Sequence, residues 1–266
     1  MSPRRIAVAA TAPFGAAVLE RLAAEHEVVR LLSRPDARRG RGRRLAPPAA
    51  KEVAERLGIP VCQPARLDGS LELGADTVVV CAYGLLIPRA LLERALWLNV
   101  HPSLLPRWRG AAPVERALMA GDTETGVTIH RTVEALDAGP IAAQRAFPIA
   151  PDDDAGAVYA RAADVAADLL REVLAQPEPA FVPQPEEGAT YAPKLRREER
   201  ELDPAAPPQE LVNRVRALSP HIGARLGDLI VWQARVGEDG SFQPLVVQPA
   251  GGRRMPYDAY LRGRRG

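Results

Sequence analysis

Apolar residues recur along this chain in two alternating rhythms. RIAVAA from Arg5, EVVRLLS from Glu27, IPVCQ from Ile59, ADTVVVCA from Ala75 and LWLNVH from Leu96 are short apolar runs of the kind that form buried strands. Between them lie segments with apolar spacings of three and four, which predict helices. These are PFGAAVLERLAAE, AKEVAERLG stopped by Gly58, IPRALLERA, and AAPVERALMAG stopped by Gly121. TGVTIHRTV and GPIAAQRAFPI read as two further strands joined through EALDA. A long helix follows, over DDDAGAVYARAADVAADLLREVLA, with aspartates where they complement the helix dipole. This alternation predicts an α/β fold: a doubly wound, mostly parallel Rossmann-like sheet with helices on both faces.

From about Pro177 the pattern changes. QPEPAFVPQPEEGATYAPKLRREERELDPAAPPQ is rich in proline and charge and lacks periodicity, so it reads as an extended linker. Beyond it QELVNRVRALS predicts a helix, and DLIVWQARV and FQPLVVQPA predict strands. The expected organisation is a domain over residues 1–178, a linker over 179–206, and a small β-rich domain over 207–266.

At 266 residues and 47% hydrophobic composition the chain can bury a sizeable core. It has no apolar run of membrane-spanning length, and MSPRRIAVAA lacks a signal peptide's apolar region. A cytoplasmic location is therefore expected. Cys62 and Cys81 sit in apolar, strand-like settings and read as small buried hydrophobes.

Net charge is only +2, but it is unevenly spread. Six arginines (34, 38, 39, 41, 43 and 44) lie against one aspartate in SRPDARRGRGRRL, and the tail adds Arg262, Arg264 and Arg265. Such clusters suit an anionic partner such as a phosphate backbone, or equally a solvated loop.

In doubly wound sheets ligands bind at the carboxyl ends of strands. The first such end, AVAATAPFGAA, has the single glycine Gly15, which argues against a dinucleotide site; no P-loop motif occurs. The strand ending LNVH places Asn99 and His101 on one face, because strand side chains repeat every two residues. Histidine exchanges protons near neutrality, and asparagine supplies an N–H donor for a developing oxyanion. Asp137, in the turn EALDAGP, could orient the histidine. No serine or cysteine stands in an elbow motif, which favours direct acyl transfer to an external amine. His26 reads as a solvated helix-end residue and His130 as structural, while His221 falls in the second domain. Alone, an N-x-H pair or a turn aspartate is a weak signal.

Order and spacing strengthen it. NVHPSLLPRWRGAAP followed by GDTETGVTIHRTVEALDAGPI resembles the formyltransferases that use 10-formyltetrahydrofolate. SRPDARRGRGRRL, CAYGLLIP, ATYAPKLRREE and QPAGGRRMPYDAYLRG are similar to segments of the branch acting on methionyl-tRNA. The resemblance runs from about Arg5 to Gly263. It implies the formyltransferase fold and transfer of formyl from 10-formyltetrahydrofolate to the amino group of initiator methionyl-tRNA, in translation initiation and one-carbon metabolism. The alternative is a relative acting on an amino-sugar nucleotide or purine precursor.

The resemblance implies catalytic roles for Asn99, His101 and Asp137. It implies a folate site formed by Tyr83, Gly84, Leu85, Ser103, Leu104, Leu105 and Pro106. It implies tRNA contacts from Arg38, Arg39, Arg41, Arg43, Arg44, Arg107 and Arg109. No metal or membrane is expected, and the protein is expected to act as a monomer. Ala10-Thr11 stands where the family has Gly-Thr, and LDAGP where it has LDTGD. WQARVGEDGSFQPLVVQPAGG passes between strands with few residues to spare, so a shortened, OB-like C-terminal barrel is expected.

Overall fold

The structure, a computed structural model, describes residues 3–39 and 44–264. In chain order the elements are β1 (Arg5–Ala10), α1 (Pro13–Glu25), β2 (Glu27–Leu32), β3 (Ala37–Arg39), β4 (Arg44–Ala46), α2 (Ala49–Arg56), β5 (Val61–Cys62), β6 (Thr77–Cys81), α3 (Arg89–Leu92), β7 (Leu96–His101), β8 (Arg109–Gly110), α4 (Pro113–Ala120), β9 (Glu124–Arg131), β10 (Ile141–Pro148), α5 (Ala155–Ala175), β11 (Tyr191–Ala192), a 3-10 turn (Glu198–Arg200), α6 (Pro208–Leu218), β12 (Ala224–Leu226), β13 (Leu229–Val236), β14 (Phe242–Pro249), β15 (Met255–Pro256) and α7 (Tyr257–Gly263).

The chain divides into two compact units whose boundaries do not follow chain order. The first comprises Met1–Arg109, Gly126–Ala146 and Ala160–Ala189; the second comprises Gly110–Thr125, Phe147–Tyr159 and Thr190–Gly266. A large sheet runs in the order β10-β9-β7-β6-β1-β2-β5. β7, β6, β1, β2 and β5 are parallel neighbours, and β9 pairs antiparallel with β7. The mostly parallel, doubly wound expectation therefore holds. Ile6 to Ala10 are all fully buried, as a parallel strand covered on both faces requires. α1 opens with Pro13, whose missing N–H would have lacked a helical partner anyway. A Cβ on Gly15 would overlap the Cys81 carbonyl oxygen, so this glycine allows close helix–strand packing.

Three local readings change. The arginine-rich segment is bracketed by a two-stranded antiparallel pair, β3 with β4, joining Arg38 to Leu45 and Arg39 to Arg44. The proline-rich segment read as a linker is anchored to the first unit: Val182 exchanges backbone hydrogen bonds with Ile141 at 2.8 and 2.9 Å. His26 is buried, not solvated. It follows the last residue of α1, and its Nδ1 accepts from the Arg4 backbone N–H at 3.3 Å.

In the second unit α6 lays Leu211, Val215 and Leu218 over Ala224, Val231 and Val247 of a four-stranded antiparallel sheet ordered β12-β13-β14-β15. The sequence predicted β13 and β14; the short strands β12 and β15 were too brief to carry a periodic signal. α4 belongs to this unit and is stopped by Gly121 in the left-handed region, at φ 76°.

Candidate active site

Four side chains of the first unit meet at the carboxyl end of β7. Antiparallel pairing sets Asn99 opposite His130 and His101 opposite Thr128, so the period-two rule puts Asn99, His101 and His130 on one face. The β9–β10 loop brings Asp137 to the same place. Asn99 Nδ2 donates to Asp137 Oδ1 at 3.1 Å. His101 Nδ1 lies 3.7 Å from Asp137 Oδ2, and His130 Nε2 lies 3.8 Å from Asp137 Oδ1. The three residues expected from the sequence are thus brought together, and a fourth joins them.

The proton positions follow from the partners. His101 Nε2 is 2.8 Å from the Trp108 carbonyl oxygen, and a carbonyl only accepts, so Nε2 carries a proton and Nδ1 faces the carboxylate. The same argument gives His130 its proton on Nδ1, 3.0 Å from the Arg131 carbonyl. Among the described residues its Nε2 is then a buried acceptor with no hydrogen-bond partner. His130 is 1% exposed; burial first, then neighbouring His101, holds its imidazole down to about 4, with Asp137 acting in the opposite sense. Nothing in the local sequence signals this. Alternation marked His130 as buried but could not show what lay opposite.

That shift has a stability consequence. The unfolded histidine takes up a proton near its ordinary value of about 6.5, while the folded one resists until about 4. Stability from this group is full above 6.5 and falls as pH drops towards 4. Thermal midpoints measured from pH 7 to pH 5 should decline less steeply in His130→Leu than in the wild type. Parallel curves would mean that His130 is not held neutral.

The loop after β7 is built mainly from inward-facing groups. Ser103 Oγ donates to the Arg107 carbonyl at 2.7 Å. Leu105 is buried; its N–H is taken by Thr128 Oγ1 at 3.2 Å and its carbonyl by Gln144 Nε2 at 2.9 Å. Leu104 is half-buried over Gly126, where a Cβ would overlap it, and Pro106 is half-buried. After β6, Tyr83 is buried in the core, and its carbonyl accepts from Thr11 Oγ1 at 2.8 Å. Leu85 is half-buried against the same cluster, and Gly84 is exposed with a φ of 79°. Leu86, not singled out in the sequence, is 92% exposed.

The arginines separate. Arg38, Arg44 and Arg107 are exposed, with the Arg107 guanidinium 4.4 Å from the Trp108 ring centroid. Arg39 ends β3. Arg41 and Arg43 lie outside the described residues. Arg109 is a correction: it is 3% exposed, and its Nε and Nη2 donate to Gln184 Oε1 at 3.1 and 2.9 Å, so it does not face a nucleic-acid backbone.

Among the described residues no helix is long and apolar enough to cross a membrane. Known proteins agree with this fold. The sequence profile of the Formyl transferase family matches residues 4–174. A methionyl-tRNA formyltransferase of Halorhodospira halophila is 42% identical over 304 aligned positions, covering 98% of this chain and 96% of its own. That alignment is longer than this 266-residue chain, so the relative carries stretches absent here. A methionyl-tRNA formyltransferase of Aromatoleum aromaticum is 40% identical over 98% of this chain and 95% of its own. The solved N-formyltransferase of Helicobacter canadensis superposes with a TM-score of 0.67 at 17% identity, covering 89% of this chain and 88% of its own, which establishes the shared fold. With its profile match spanning most of the chain and its relatives aligned almost end to end, this chain belongs to the formyl transferase family.

Proposed function

We propose that this protein transfers the formyl group of 10-formyltetrahydrofolate to the amino group of initiator methionyl-tRNA, as a cytoplasmic monomer. The observation that carries this reading is the convergence of Asn99, His101 and Asp137 at one strand end. The near full-length likeness to proteins named methionyl-tRNA formyltransferase supports the acceptor.

The loop after β6 suits the donor in one respect: it anchors Tyr83 inside and leaves Leu86 free to cover an apolar ring. Bound there, 10-formyltetrahydrofolate supplies the formyl carbon. The methionyl amine attacks that carbon, and negative charge develops on the formyl oxygen. Asn99 and His101, the latter in the form protonated at Nδ1, meet that charge; one such donor is worth roughly 3–4 kcal/mol. Asp137 takes the amine proton, directly or through water, and His101 Nδ1 stands beside it to pass a proton to the departing tetrahydrofolate nitrogen. One proton leaves the amine and one reaches the leaving nitrogen, so the exchange balances without a covalent enzyme intermediate. Gly84, Leu85, Ser103, Leu104, Leu105 and Pro106 shape the folate site through the loops they hold, with Tyr83 as an anchor.

The tRNA reading places Arg38, Arg39, Arg41, Arg43, Arg44 and Arg107 along phosphates. Each phosphate neutralised steepens log affinity against log salt by about 0.7–0.9. Replacing Arg41 and Arg43 by alanine should weaken tRNA binding and flatten that slope by roughly one to two units. The thermal shift given by tetrahydrofolate should stay unchanged. The deciding assay compares formyl transfer to methionyl-tRNA and to an amino-sugar nucleotide. Preference for the sugar, together with an unaltered salt slope, would replace this acceptor with the other.

A further inference from the structure

The turn that presents Asp137 is not relaxed. Asp137 has a φ of 47°, left-handed backbone that is strained for any residue but glycine. Something must hold it there. Gln184 does so from the proline-rich segment: its Nε2 donates to the Asp137 carbonyl at 2.8 Å and to the Gly139 carbonyl at 2.7 Å. Its Oε1 accepts both the Arg109 Nε and Nη2 hydrogens. The amide orientation is fixed without ambiguity, since carbonyls only accept and a guanidinium only donates.

Gln184 is itself held. Val182, two residues earlier, exchanges backbone hydrogen bonds with Ile141 at the start of β10, and Pro183 and Pro185 stiffen the chain on either side. Among the described residues, buried Arg109 also brings its Nη1 within 3.5 Å of Glu186 Oε2. A buried cation that spends two donors on one amide oxygen fixes that amide firmly.

From this geometry we propose that Gln184, backed by Arg109, is a positioning residue for formyl transfer: its amide clamps the 137–139 turn so that the Asp137 carboxylate meets Asn99 and His101. The proposal rests on the reading of Asp137 as the proton acceptor. Only glutamine's size and bifunctional end satisfy two carbonyls and a guanidinium together. Glutamate at 184 would keep the size and pair with Arg109, yet would turn a second acceptor on the two carbonyls.

The test measures kcat, the KM for methionyl-tRNA, and the tetrahydrofolate-induced thermal shift for Gln184→Ala, Gln184→Glu and Asp137→Ala. A misplacement of about 1 Å can cost on the order of a hundredfold. Both glutamine variants should therefore lose about ten- to a hundredfold in kcat, with KM and thermal shift unchanged. Adding Gln184→Ala to Asp137→Ala should cost nothing more. Wild-type kcat in either glutamine variant would overturn the clamp. So would a parallel fall in folate shift and thermal midpoint, or failure of both variants to fold, since each outcome makes Gln184 a general part of the fold. An active Asp137→Ala enzyme would instead remove the proton-acceptor reading.

Discussion

His101→Ala and Asp137→Ala should each lower turnover by about two to four orders of magnitude, the range for a positioned acid–base group. The double variant should lose little more than the worse single one. The reason is geometric: the carboxylate faces the imidazole edge that exchanges the proton, and the other edge is tied to the Trp108 carbonyl. Removing either leaves the other without its partner, so the losses share one cause. Formyl transfer measured by single-turnover label incorporation, beside a thermal midpoint for each variant, separates chemistry from folding. Full additivity would show that the two groups act at different steps. Near-wild-type turnover in either variant would remove that residue from the mechanism.

Gly139→Ala should be nearly as damaging for a different reason. A Cβ at this position would overlap the Arg131 carbonyl oxygen and crowd His130 Nδ1. Backbone cannot swing aside as a flexible side chain can, so the 137–139 turn must move away from β9. That breaks the approach of the Gly139 carbonyl to Gln184 and pulls Asp137 from Asn99. The expected result is a loss of about a hundredfold in kcat and a fall in stability of roughly 1–3 kcal/mol, as for other overpacked sites. Chemical denaturation and the transfer assay check the two parts. Unchanged activity would mean that the loop has slack the packing does not suggest. Gly58→Ala is a useful control: it too has a positive φ, 69°, but a Cβ there meets nothing, so stability should fall slightly and activity not at all.

Much of the site was visible in one dimension because its chemistry sits on regular elements. Asn99 and His101 share a face through strand periodicity alone, and the glycine-bearing turn after Leu136 marked Asp137 as rigidly held. The resemblance of NVHPSLLP and LDAG to the formyltransferases that use folate then joined segments that composition could not join. What stayed hidden depended on partners far along the chain. Arg109 looked like its neighbour Arg107, since two arginines flanking a tryptophan carry no mark of which turns inward. Gln184 lay in a stretch whose prolines suggested a spacer. His130 read as an ordinary buried strand residue.

By itself, then, the sequence determined the parallel α/β architecture, the helices and their stops, and the two residues of β7 that share a face at its carboxyl end. Those follow from local rules: apolar period, capping, and alternation of side chains along a strand. Only the tertiary structure decided that β9 pairs beside β7 and so sets His130 across from Asn99. Only it decided that the 179–189 segment returns to the first unit, and that a buried guanidinium orients the amide holding Asp137. Such arrangements are fixed by long-range hydrogen bonds between groups dozens of residues apart. Their energy depends on distance in space, and no local pattern of residues records it.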